Sequence, residues 1–579
     1  MYPVSEEWKQ ACNQQIRQAQ ALVKIEIGIF DEKAPHQATF ELPELLWECE
    51  DTLLSPMAKG GYAAFEPKFF RLDGKQLLMP LEPNQKIAKK MISKAISGQD
   101  GMFLNPPTIK IRFSEEKSLV GITLTFGRIE EEAPEQIVLL AKTAAGTIKQ
   151  WEIQNPAPVY QAEILLESIV ELQIVFKKTK APFGRARLEQ VQFGIGYEYT
   201  GAEILELNET KSISPASLEL PRAEIDFTLN NHNGKFDADG DEAINKFLKQ
   251  GQVVKLWYGM DLGKTMEWIP AGKWYLESWS ASQTARFTAT DQLVLLNKTI
   301  YEKGKYIWAW QSLYNVAKDV LQDAGLKQTE YKLDPALKSV LTMAPIPLVS
   351  HATALQLIAN RSKMNLFVDR EGKVCIVPIK ETSVLSIDKK EVFEKATTKR
   401  NAVLKQVDGF WIWRSQYREL KQVLLQTRMR GGTEWVRMEH NICLNPIVKT
   451  SPEVKVEAVH YARVSYLRAP QSTEEFNVEI IGNKLAEVKY PIIVKKQKEG
   501  EILTIENPLF DNENSQQVFE WVKSMCGKEL EYQIEIRGLP QLDIGDSVQL
   551  WNQKQGQIVE SKFTFSGLFQ QELKIWCKE

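Results

Sequence analysis

The sequence is poor in the residues that most often carry out chemistry. Its 579 residues include 6 cysteines and 5 histidines. No two cysteines form the CxxC pair that a zinc site or a disulfide framework usually needs, so we expect reduced and mostly buried thiols. The cysteines are Cys12, Cys49, Cys375, Cys443, Cys526 and Cys577. The histidines lie in different segments and are expected to be structural or exposed; they are His36, His232, His351, His440 and His460.

Long apolar runs and a strong charge of one sign are also missing. No apolar stretch reaches the roughly 18 residues that a membrane-spanning helix requires, and Met1–Trp8 has no basic segment followed by an apolar core, so no signal peptide is expected. The net charge of −3 gives no basic field for a dedicated nucleic-acid site. These absences predict a protein that is made and folds in a reducing cytoplasm.

The common catalytic motifs are absent as well. The chain contains no GxGxxG after a strand, no P-loop, no HExxH and no nucleophile elbow. Carboxylate pairs of the glycosidase type carry no information, because 75 acidic residues guarantee chance pairs. The sequence therefore favours a protein that is not an enzyme and that uses no cofactor.

What the sequence does contain is alternation of apolar and polar residues over short segments, which is typical of half-buried strands. From 43 to 193 such segments follow one another with almost no helical pattern between them, as expected for a β-sandwich. Further predicted strands lie at 22–29, 223–229, 253–258, 274–279, 285–289 and from about 383 to the end.

Helical spacing is confined to a few segments. Ser5 is a candidate N-cap for a helix that runs to Ala21. In the mixed α/β segment 310–378, apolar residues from Leu313 to Ala324 recur at helical spacing before Gly325, and Ser350 caps a second helix. A hairpin is predicted at 365–377, and one clear helix at 515–525.

One acidic loop allows two interpretations. Asp237, Asp239 and Asp241 offer oxygen ligands for a calcium ion. The full calcium-loop pattern fails, because Lys235 and Lys246 stand where an aspartate and the bidentate glutamate belong. The alternative is a solvated turn that caps a short helix at 242–247, and we take these three aspartates only as weak metal candidates.

A group of aromatic residues also has two readings. Trp268, Trp274, Tyr275 and Trp279 lie close together in the sequence and would suit a platform on which glycan rings stack. In alternating strands, however, the same residues more often supply core and interface bulk.

Residues 214–236, SPASLELPRAEIDFTLNNHNGKF, resemble a baseplate hub or distal tail protein family of Gram-positive phages and phage-tail-like bacteriocins. The resemblance continues through Gly251–Val254, Ile269–Leu276, Phe287–Leu293, Leu355–Ala359, Val368–Lys373, Asn507–Leu509 and Leu542–Val548, and covers roughly 400 residues. No single motif is diagnostic; their order and spacing together carry the likeness.

The interval from Gly61 to Phe193 is similar to the discoidin-like jelly-roll modules inserted in such tail proteins. The resulting prediction is a mainly β, multidomain chain with α+β segments. Its parts are an N-terminal helix and first hub strand (1–45), an inserted β-sandwich (46–195), a hub β-domain (196–304), a small α/β domain (305–382) and a second hub β-domain with one helix (383–579).

The resemblance implies a structural hub, a homotrimer that joins a hexameric tail tube to a trimeric spike. Implied neighbours are the tail tube or a tube-initiator protein, the spike, baseplate wedge proteins and a tape-measure protein. The expected location is the baseplate of a phage tail or of a tailocin particle, assembled in the bacterial cytoplasm. A competing hypothesis is a receptor-binding module in which the jelly roll binds a cell-surface glycan. A tail-associated cell-wall hydrolase is a third reading, disfavoured by the missing catalytic motifs.

Overall fold

The structure is a computed structural model that describes most of the chain. It describes residues 1–577 except 15–19, 32, 47–52, 54–60, 64–75, 79–90, 128, 215–216, 238–243, 245–246, 264, 306–308, 379–382, 394–395, 401–403, 417–420, 472–473 and 527–529.

Six α-helices have both ends within this described part, and Ile244 and Phe247 are helical as well. The six helices are α1 (Glu6–Asn13), α2 (Ala34–Gln37), α3 (Gln292–Asn297), α4 (Leu313–Asp323), α5 (His351–Arg361) and α6 (Gln516–Cys526). No helix of the described residues is long and apolar enough to cross a membrane.

Strands dominate the fold, so the prediction of a mainly β, multidomain chain is confirmed. In the first half they are β1 (Gln20–Phe30), β2 (Ala38–Glu41), β3 (Gly61–Ala63), β4 (Gln76–Leu78), β5 (Met91–Ile92), β6 (Thr108–Leu119), β7 (Ile122–Thr125), β8 (Pro134–Thr143), β9 (Ile148–Gln154), β10 (Val159–Ala162), β11 (Leu166–Thr179), β12 (Arg187–Leu188), β13 (Gln190–Thr200), β14 (Ile204–Ser212), β15 (Arg222–Asn230), β16 (Val253–Asp261), β17 (Met266–Ala281) and β18 (Thr284–Thr290).

The second half continues with shorter strands around the helices and longer ones after them. These are β19 (Ile300–Tyr301), β20 (Gln311–Ser312), β21 (Tyr331–Leu333), β22 (Leu341–Thr342), β23 (Val349–Ser350), β24 (Met364–Val368), β25 (Val374–Pro378), β26 (Ser383–Ile387), β27 (Thr397–Arg400), β28 (Leu404–Gln416), β29 (Gln422–Met429), β30 (Val436–Glu439), β31 (Cys443–Ser451), β32 (Glu457–His460), β33 (Val464–Arg468), β34 (Phe476–Lys495), β35 (Glu501–Ile505), β36 (Leu530–Arg537), β37 (Ser547–Leu550), β38 (Gln555–Phe565) and β39 (Phe569–Cys577).

The largest sheet combines strands from both ends of the chain. Its order is β10-β7-β13-β1-β16-β17-β18-β15-β14-β38-β39-β36-β27, and β37 and β26 extend it from β38. The seam is the antiparallel pair β14–β38, in which Leu207 lies opposite Phe565 and Ser212 opposite Glu560. Alternate residues of these strands are buried in one core that both ends of the chain supply.

A β-sandwich precedes this sheet in the sequence and shares a strand with it. One layer has the order β2-β6-β11-β8-β9, and the other is formed by β10, β7 and the first four residues of β13. The layers meet through T-shaped aromatic contacts, with ring centroids 5.2 Å apart for Phe113–Phe193 and 6.2 Å for Phe126–Phe176. Residues 190–193 of β13 pair with β7, and residues 194–200 pair with β1.

The α/β segment has the helices that the sequence predicts. The Ser350 hydroxyl accepts a hydrogen bond from Thr353 N, which confirms the predicted cap of α5. The Ser312 hydroxyl accepts from Asn315 N and caps α4 in the same way. Gly325 follows α4 at φ +84°, a backbone conformation that glycine adopts without strain. The hairpin β24–β25 packs with the parallel strand β21 under α4 and α5.

Of the remaining sheets in the described part, two have more than two strands. The strands β29, β34, β28 and β35 form one, with β31 on β34, and α6 packs on its buried face. The strands β30, β33 and β32 form the other.

The N-terminal helix begins as predicted and ends earlier. Trp8 N donates to the Ser5 hydroxyl at 3.0 Å, which confirms the cap, but α1 ends at Asn13. The expected extension to Ala21 is wrong, because Gln20 and Ala21 already belong to β1 and pair with β16. Competition from the sheet therefore overrides the helical spacing.

Candidate functional site

A network of buried polar groups begins at the turn of the hairpin β24–β25. In this turn the Asp369 carboxylate accepts hydrogen bonds from Glu371 N and Lys373 N, both at 2.9 Å. Gly372 at φ +80° completes the reversal. The turn points Arg370 into the protein, where 8% of the residue stays exposed.

The turn that receives Arg370 comes from the C-terminal part of the chain. Here Ile544 N donates to the carboxylate of Asp543 at 3.0 Å, and Asp543 N donates to that of Asp546, also at 3.0 Å. The terminal ammonium of Met1 is 2.5 Å from Asp546, so the chain start is attached to the same turn.

Arg370 connects three parts of the chain. Its Nε donates to Asp543 Oδ2 at 2.9 Å and its Nη2 to Leu542 O at 2.6 Å, while Nη1 is 3.4 Å from Pro270 O on β17. A planar guanidinium suits this task because it donates in several fixed directions at once.

A second cation, Lys211 of β14, completes the cluster. Its Nζ lies 2.8 Å from Glu209 and 3.8 Å from Asp543, and it donates to Ala271 O at 3.1 Å. The buried Tyr258 hydroxyl donates to the second oxygen of Glu209 at 3.1 Å. The cluster therefore pairs two cations with two carboxylates, and we call it the polar junction: Glu209, Lys211, Tyr258, Arg370 and Asp543.

Electrostatics inside the polar junction favour the charged forms. Burial opposes ionisation of Asp543, yet Lys211 and Arg370 outweigh it and hold the pKa of Asp543 below its usual value. Burial likewise opposes the charge on Arg370, and Asp543 with Glu209 outweighs it and raises the pKa of Arg370. The pKa of Tyr258 is raised by burial and by Glu209, which keeps the phenol neutral. These pKa shifts keep Asp543 and Arg370 charged and Tyr258 neutral near neutral pH.

A second anchor ties the α/β segment to the segment before α6. The buried amide of Asn507 donates to Leu357 O at 2.9 Å and accepts from Leu509 N at 2.9 Å. The Asp511 carboxylate accepts from the Thr342 hydroxyl at 2.8 Å and from Met343 N at 2.7 Å.

The structure places the predicted calcium candidates only in part. Asp237 accepts a hydrogen bond from the Asn231 amide at 2.8 Å, and Phe236 N donates to the oxygen of the same amide. Asp239 and Asp241 lie outside the described residues. Asp237 therefore belongs to an asparagine-centred turn, and the calcium site stays a prediction.

The aromatic residues considered as a glycan platform do not share one exposed surface. Trp274 and Tyr275 are buried, Trp274 in the core of the large sheet, while Trp268 and Trp279 are half-buried. Trp268 lies against Gly259, where a Cβ would come within 2.6 Å of its ring. Burial takes two of the four rings away from any ligand.

The described cysteines follow the expectation of buried thiols. Cys12, Cys375, Cys443 and Cys577 are buried, and Cys526 is half-buried; Cys49 lies outside the described residues. Burial raises the pKa of Cys375 and of Cys443 to about 12 each, and that of Cys526 to about 11, so these thiols are poor nucleophiles.

The histidines divide into two groups. His36 and His232 are exposed. His351 bridges the Thr299 hydroxyl at 2.9 Å and the Asp323 carboxylate at 3.0 Å. His440 and His460 both hydrogen-bond the hydroxyl of the buried Ser465, at 2.9 and 2.7 Å.

The sequence patterns do not single out the members of the polar junction. Arg370 and Asp543 each lie in a segment of the tail-protein resemblance, but only the fold shows that the two segments touch. The signal available in the sequence was an arginine in one tight turn and an aspartate in another, each beside an apolar strand.

Comparison with known proteins gives structural likeness only. No family model and no curated protein matches the chain. Among solved structures, it is similar to a 43 kDa tail protein of prophage MuSo2 from Shewanella oneidensis, with 12% identity, a TM-score of 0.37, and coverage of 66% of this chain and 95% of that chain. It is also similar to a tail protein from Neisseria meningitidis MC58, with 10% identity, a TM-score of 0.36, and coverage of 66% and 94%.

A third similar structure is prophage tail protein gp18 from Listeria monocytogenes EGD-e, with 9% identity, a TM-score of 0.33, and coverage of 65% and 91%. These scores are too low for any residue role to be transferred. They record what the chain is similar to.

Proposed function

We propose that the protein is a non-enzymatic structural hub of a phage-type tail baseplate, which joins a hexameric tail tube to a trimeric spike. The observation that carries the proposal is the contact of Arg370 with Leu542 and Asp543. It joins two separate segments, 368–373 and 542–548, on which the sequence resemblance to hub proteins rests.

The physical organisation suits a part that transmits force. A single hydrogen-bonded sheet contains strands from both ends of the chain, and the buried ion pair Arg370–Asp543 fastens the α/β segment onto it. Pulling the α/β segment away would break the hydrogen bonds that Arg370 donates to Asp543 and to Leu542 O. A static joint of this kind supports a mechanical role.

The proposed assembly is a homotrimer in which two β-regions of each subunit form a pseudo-six-fold ring. Such a ring presents six similar surfaces to a six-fold tube while it keeps three-fold symmetry towards a spike. Tail-tube or tube-initiator protein would bind one side and the spike the other, with wedge and tape-measure proteins as further neighbours.

Light scattering on the purified protein at micromolar concentration tests the assembly. We expect a mass three times the 66.2 kDa of one chain and rings in electron micrographs. A stable monomer that forms no ring, alone or with tube and spike proteins, would contradict the proposal. Absence of cell-wall hydrolysis on peptidoglycan is the matching expectation for a protein that is not an enzyme.

A second candidate function is binding of a cell-surface glycan by the sandwich, which we propose resembles a discoidin-like jelly roll. One observation favours it: the loop 96–104 and Phe183 place exposed apolar side chains at one end of the sandwich, and Leu104 is 96% exposed. The bonds Phe183 N to Gly98 O and Gly98 N to Met102 O hold these loops together. Clustered exposed apolar residues often mark binding surfaces.

A glycan array separates this candidate from the hub. We expect a signal that the double substitution Leu104→Ser/Phe183→Ser removes and that the matched control Ile148→Ser leaves unchanged, because Ile148 is an exposed apolar residue elsewhere on the same sandwich. A signal that is absent in the unaltered protein removes this candidate and leaves the hub proposal as it stands.

A further inference from the structure

A cleft of about 560 Å³ opens between the α/β segment and the start of α6. Its walls come from the end of α5, from the segment around β22 and from the residues before and within the first turns of α6. Arg361, Lys363, Trp310, Leu341 and Asn512 are among the lining residues. None of them belongs to the polar junction.

The unusual member of this cleft is Arg361, which is only 6% exposed. Its Nε donates to Leu509 O at 3.1 Å, and its Nη2 lies 3.4 Å from the Asn512 side-chain oxygen. A guanidinium has five N–H donors, so three of them have no acceptor among the described residues. No carboxylate in the described part of the chain lies within salt-bridge distance of Arg361.

The charge on Arg361 is weakly compensated from within the protein. Burial lowers the pKa of Arg361, and Asp511 counteracts this through space. The Asp511 carboxylate is itself used by Thr342, Met343 and Asn512. The carboxyl end of α5 adds partial negative charge beside Arg361, but it supplies no acceptor to the three remaining donors.

Other features of the cleft add to its preference for an anion. Lys363 is exposed beside Arg361, at φ +60° just after α5. The opposite wall includes Gln517 near the amino end of α6, where a helix carries partial positive charge. The amides of Asn514 and Gln517 also line the wall and can both donate and accept.

Next to this cationic part the cleft is apolar. Trp310 is 48% exposed and Leu341 is 41% exposed. An exposed tryptophan beside a buried arginine is a pairing that recurs in protein interfaces, where these two residue types contribute much of the binding energy. The cleft therefore joins an anion site, a row of amides and an apolar contact in one open groove.

We propose that this cleft binds an acidic peptide segment of a partner protein, with an Asp or Glu carboxylate on Arg361 and Lys363 and a neighbouring apolar side chain on Trp310 and Leu341. A carboxylate fits the planar guanidinium through two parallel hydrogen bonds. The side-chain amides would meet the peptide backbone. The inference does not depend on the hub function, because the same chemistry would hold for any partner.

Fluorescence anisotropy with the full-length protein tests it. The probe is a fluorescein-labelled peptide of sequence Gly-Ser-Asp-Leu-Glu-Phe-Ser-Gly, and its control replaces Asp and Glu by Asn and Gln. We expect saturable binding of the acidic peptide, at least roughly ten-fold weaker binding of the amide peptide, and a loss of affinity as salt rises.

Substitutions of the cleft residues test whether the peptide binds in the cleft. Arg361→Met and Lys363→Gln should each weaken acidic-peptide binding by about ten-fold or less, and Trp310→Ala should weaken both peptides equally. The matched control Lys327→Gln, an exposed lysine of the same α/β segment outside the cleft, should leave binding unchanged. If Arg361→Met does not fold, Lys363→Gln and Trp310→Ala decide the question.

Three outcomes would overturn the proposal. They are no binding of the acidic peptide, equal binding of the acidic and amide peptides, and displacement of the peptide by inorganic phosphate at equal concentration, which would show a site for free anions only. None of these outcomes bears on whether the protein forms a trimeric ring.

Discussion

Two buried arginines of the same α/β segment differ in what surrounds them. Arg370 is 8% exposed and meets a carboxylate at 2.9 Å, so its pKa is raised despite burial. Arg361 is 6% exposed and meets only carbonyl and amide oxygens; burial lowers its pKa, and Asp511 opposes this only through space. The first guanidinium has a carboxylate partner within the chain and helps to hold the fold together. The second has no carboxylate within salt-bridge distance among the described residues, and it faces a cleft. The difference separates a structural charge from one available for binding.

The largest loss of stability is expected from substituting Asp543, the carboxylate that pairs with Arg370. Asp543→Asn leaves Arg370 and Lys211 without a carboxylate between them, and it should lower the free energy of unfolding by about 3–5 kcal/mol. Urea denaturation followed by tryptophan fluorescence measures this. The exposed control Asp388→Asn should stay within about 0.5 kcal/mol of the unaltered protein. A loss below about 1 kcal/mol would remove Arg370–Asp543 as a fastening of the fold.

Removing both charges of the Arg370–Asp543 pair should lower the free energy of unfolding less than removing only one of them. The double substitution Arg370→Met/Asp543→Leu replaces the pair by apolar side chains, and it should recover about half or more of the stability lost in Asp543→Asn, because no unpaired charge stays buried. The same denaturation series gives the coupling free energy. Additive losses in the two single variants would show that the residues do not act as a pair.

Arg361→Met should have a smaller effect on stability than either change at the pair. The substitution removes the bond to Leu509 O, worth about 1–2 kcal/mol, and it also removes the cost of burying a weakly compensated charge, which offsets part of this loss. We expect a net change within about 1 kcal/mol. A loss as large as that of Asp543→Asn would mean that Arg361 is a structural charge as well.

The smallest change in stability is expected at the cluster of His440, His460 and Ser465, whose groups are neutral. His440 Nδ1 is 2.9 Å from Asn441 O, so Nδ1 carries the proton and donates. The Ser465 hydroxyl then donates to His440 Nε2 and accepts from His460 Nδ1. Burial is the main cause that lowers the pKa of both histidines; Arg463 adds to the effect at His440 and Glu439 opposes it, while His440 adds to it at His460.

The pH dependence follows from these directions. Below the ordinary histidine pKa of 6.5 the unfolded chain binds more protons than the folded one. The stability contribution is therefore present above pH 6.5 and is lost as the pH falls through the lowered pKa of the folded protein. Thermal unfolding at pH 7.5 and pH 5 measures the loss. His440→Gln should reduce it, and an unchanged pH dependence in that variant would contradict the assignment.

Local features of the fold were predictable from the sequence where one short-range interaction decides the structure. The cap at Ser350 and the glycine at 325 were identified by residue type and position alone. The strands from 108 to 193 follow from alternation. The α1 helix was predicted too long, because pairing of Gln20 with Asp261 is a long-range contact that no local pattern reveals.

The candidate sites were less accessible to sequence reasoning. Arg361 and Arg370 both lie beside apolar residues in the same segment, and nothing nearby in the chain distinguishes them. Their difference comes from residues roughly 150 to 170 positions away, Leu509 in one case and Asp543 in the other. Partners so distant in sequence are fixed by the tertiary fold, and only the fold shows which arginine has a counter-ion.

The shared strand β13 has a consequence for geometry. Its first four residues belong to the sandwich and the next seven to the large sheet. No turn separates the two parts: Gly194 alone lies between Phe193 and Ile195, and a Cβ added there would lie 2.0 Å from Ile29 O. To swing, the sandwich would have to break main-chain bonds on both sides of that glycine. Its tilt is therefore built into the chain, and identical copies placed around one axis would hold their sandwich tips at one common height and angle.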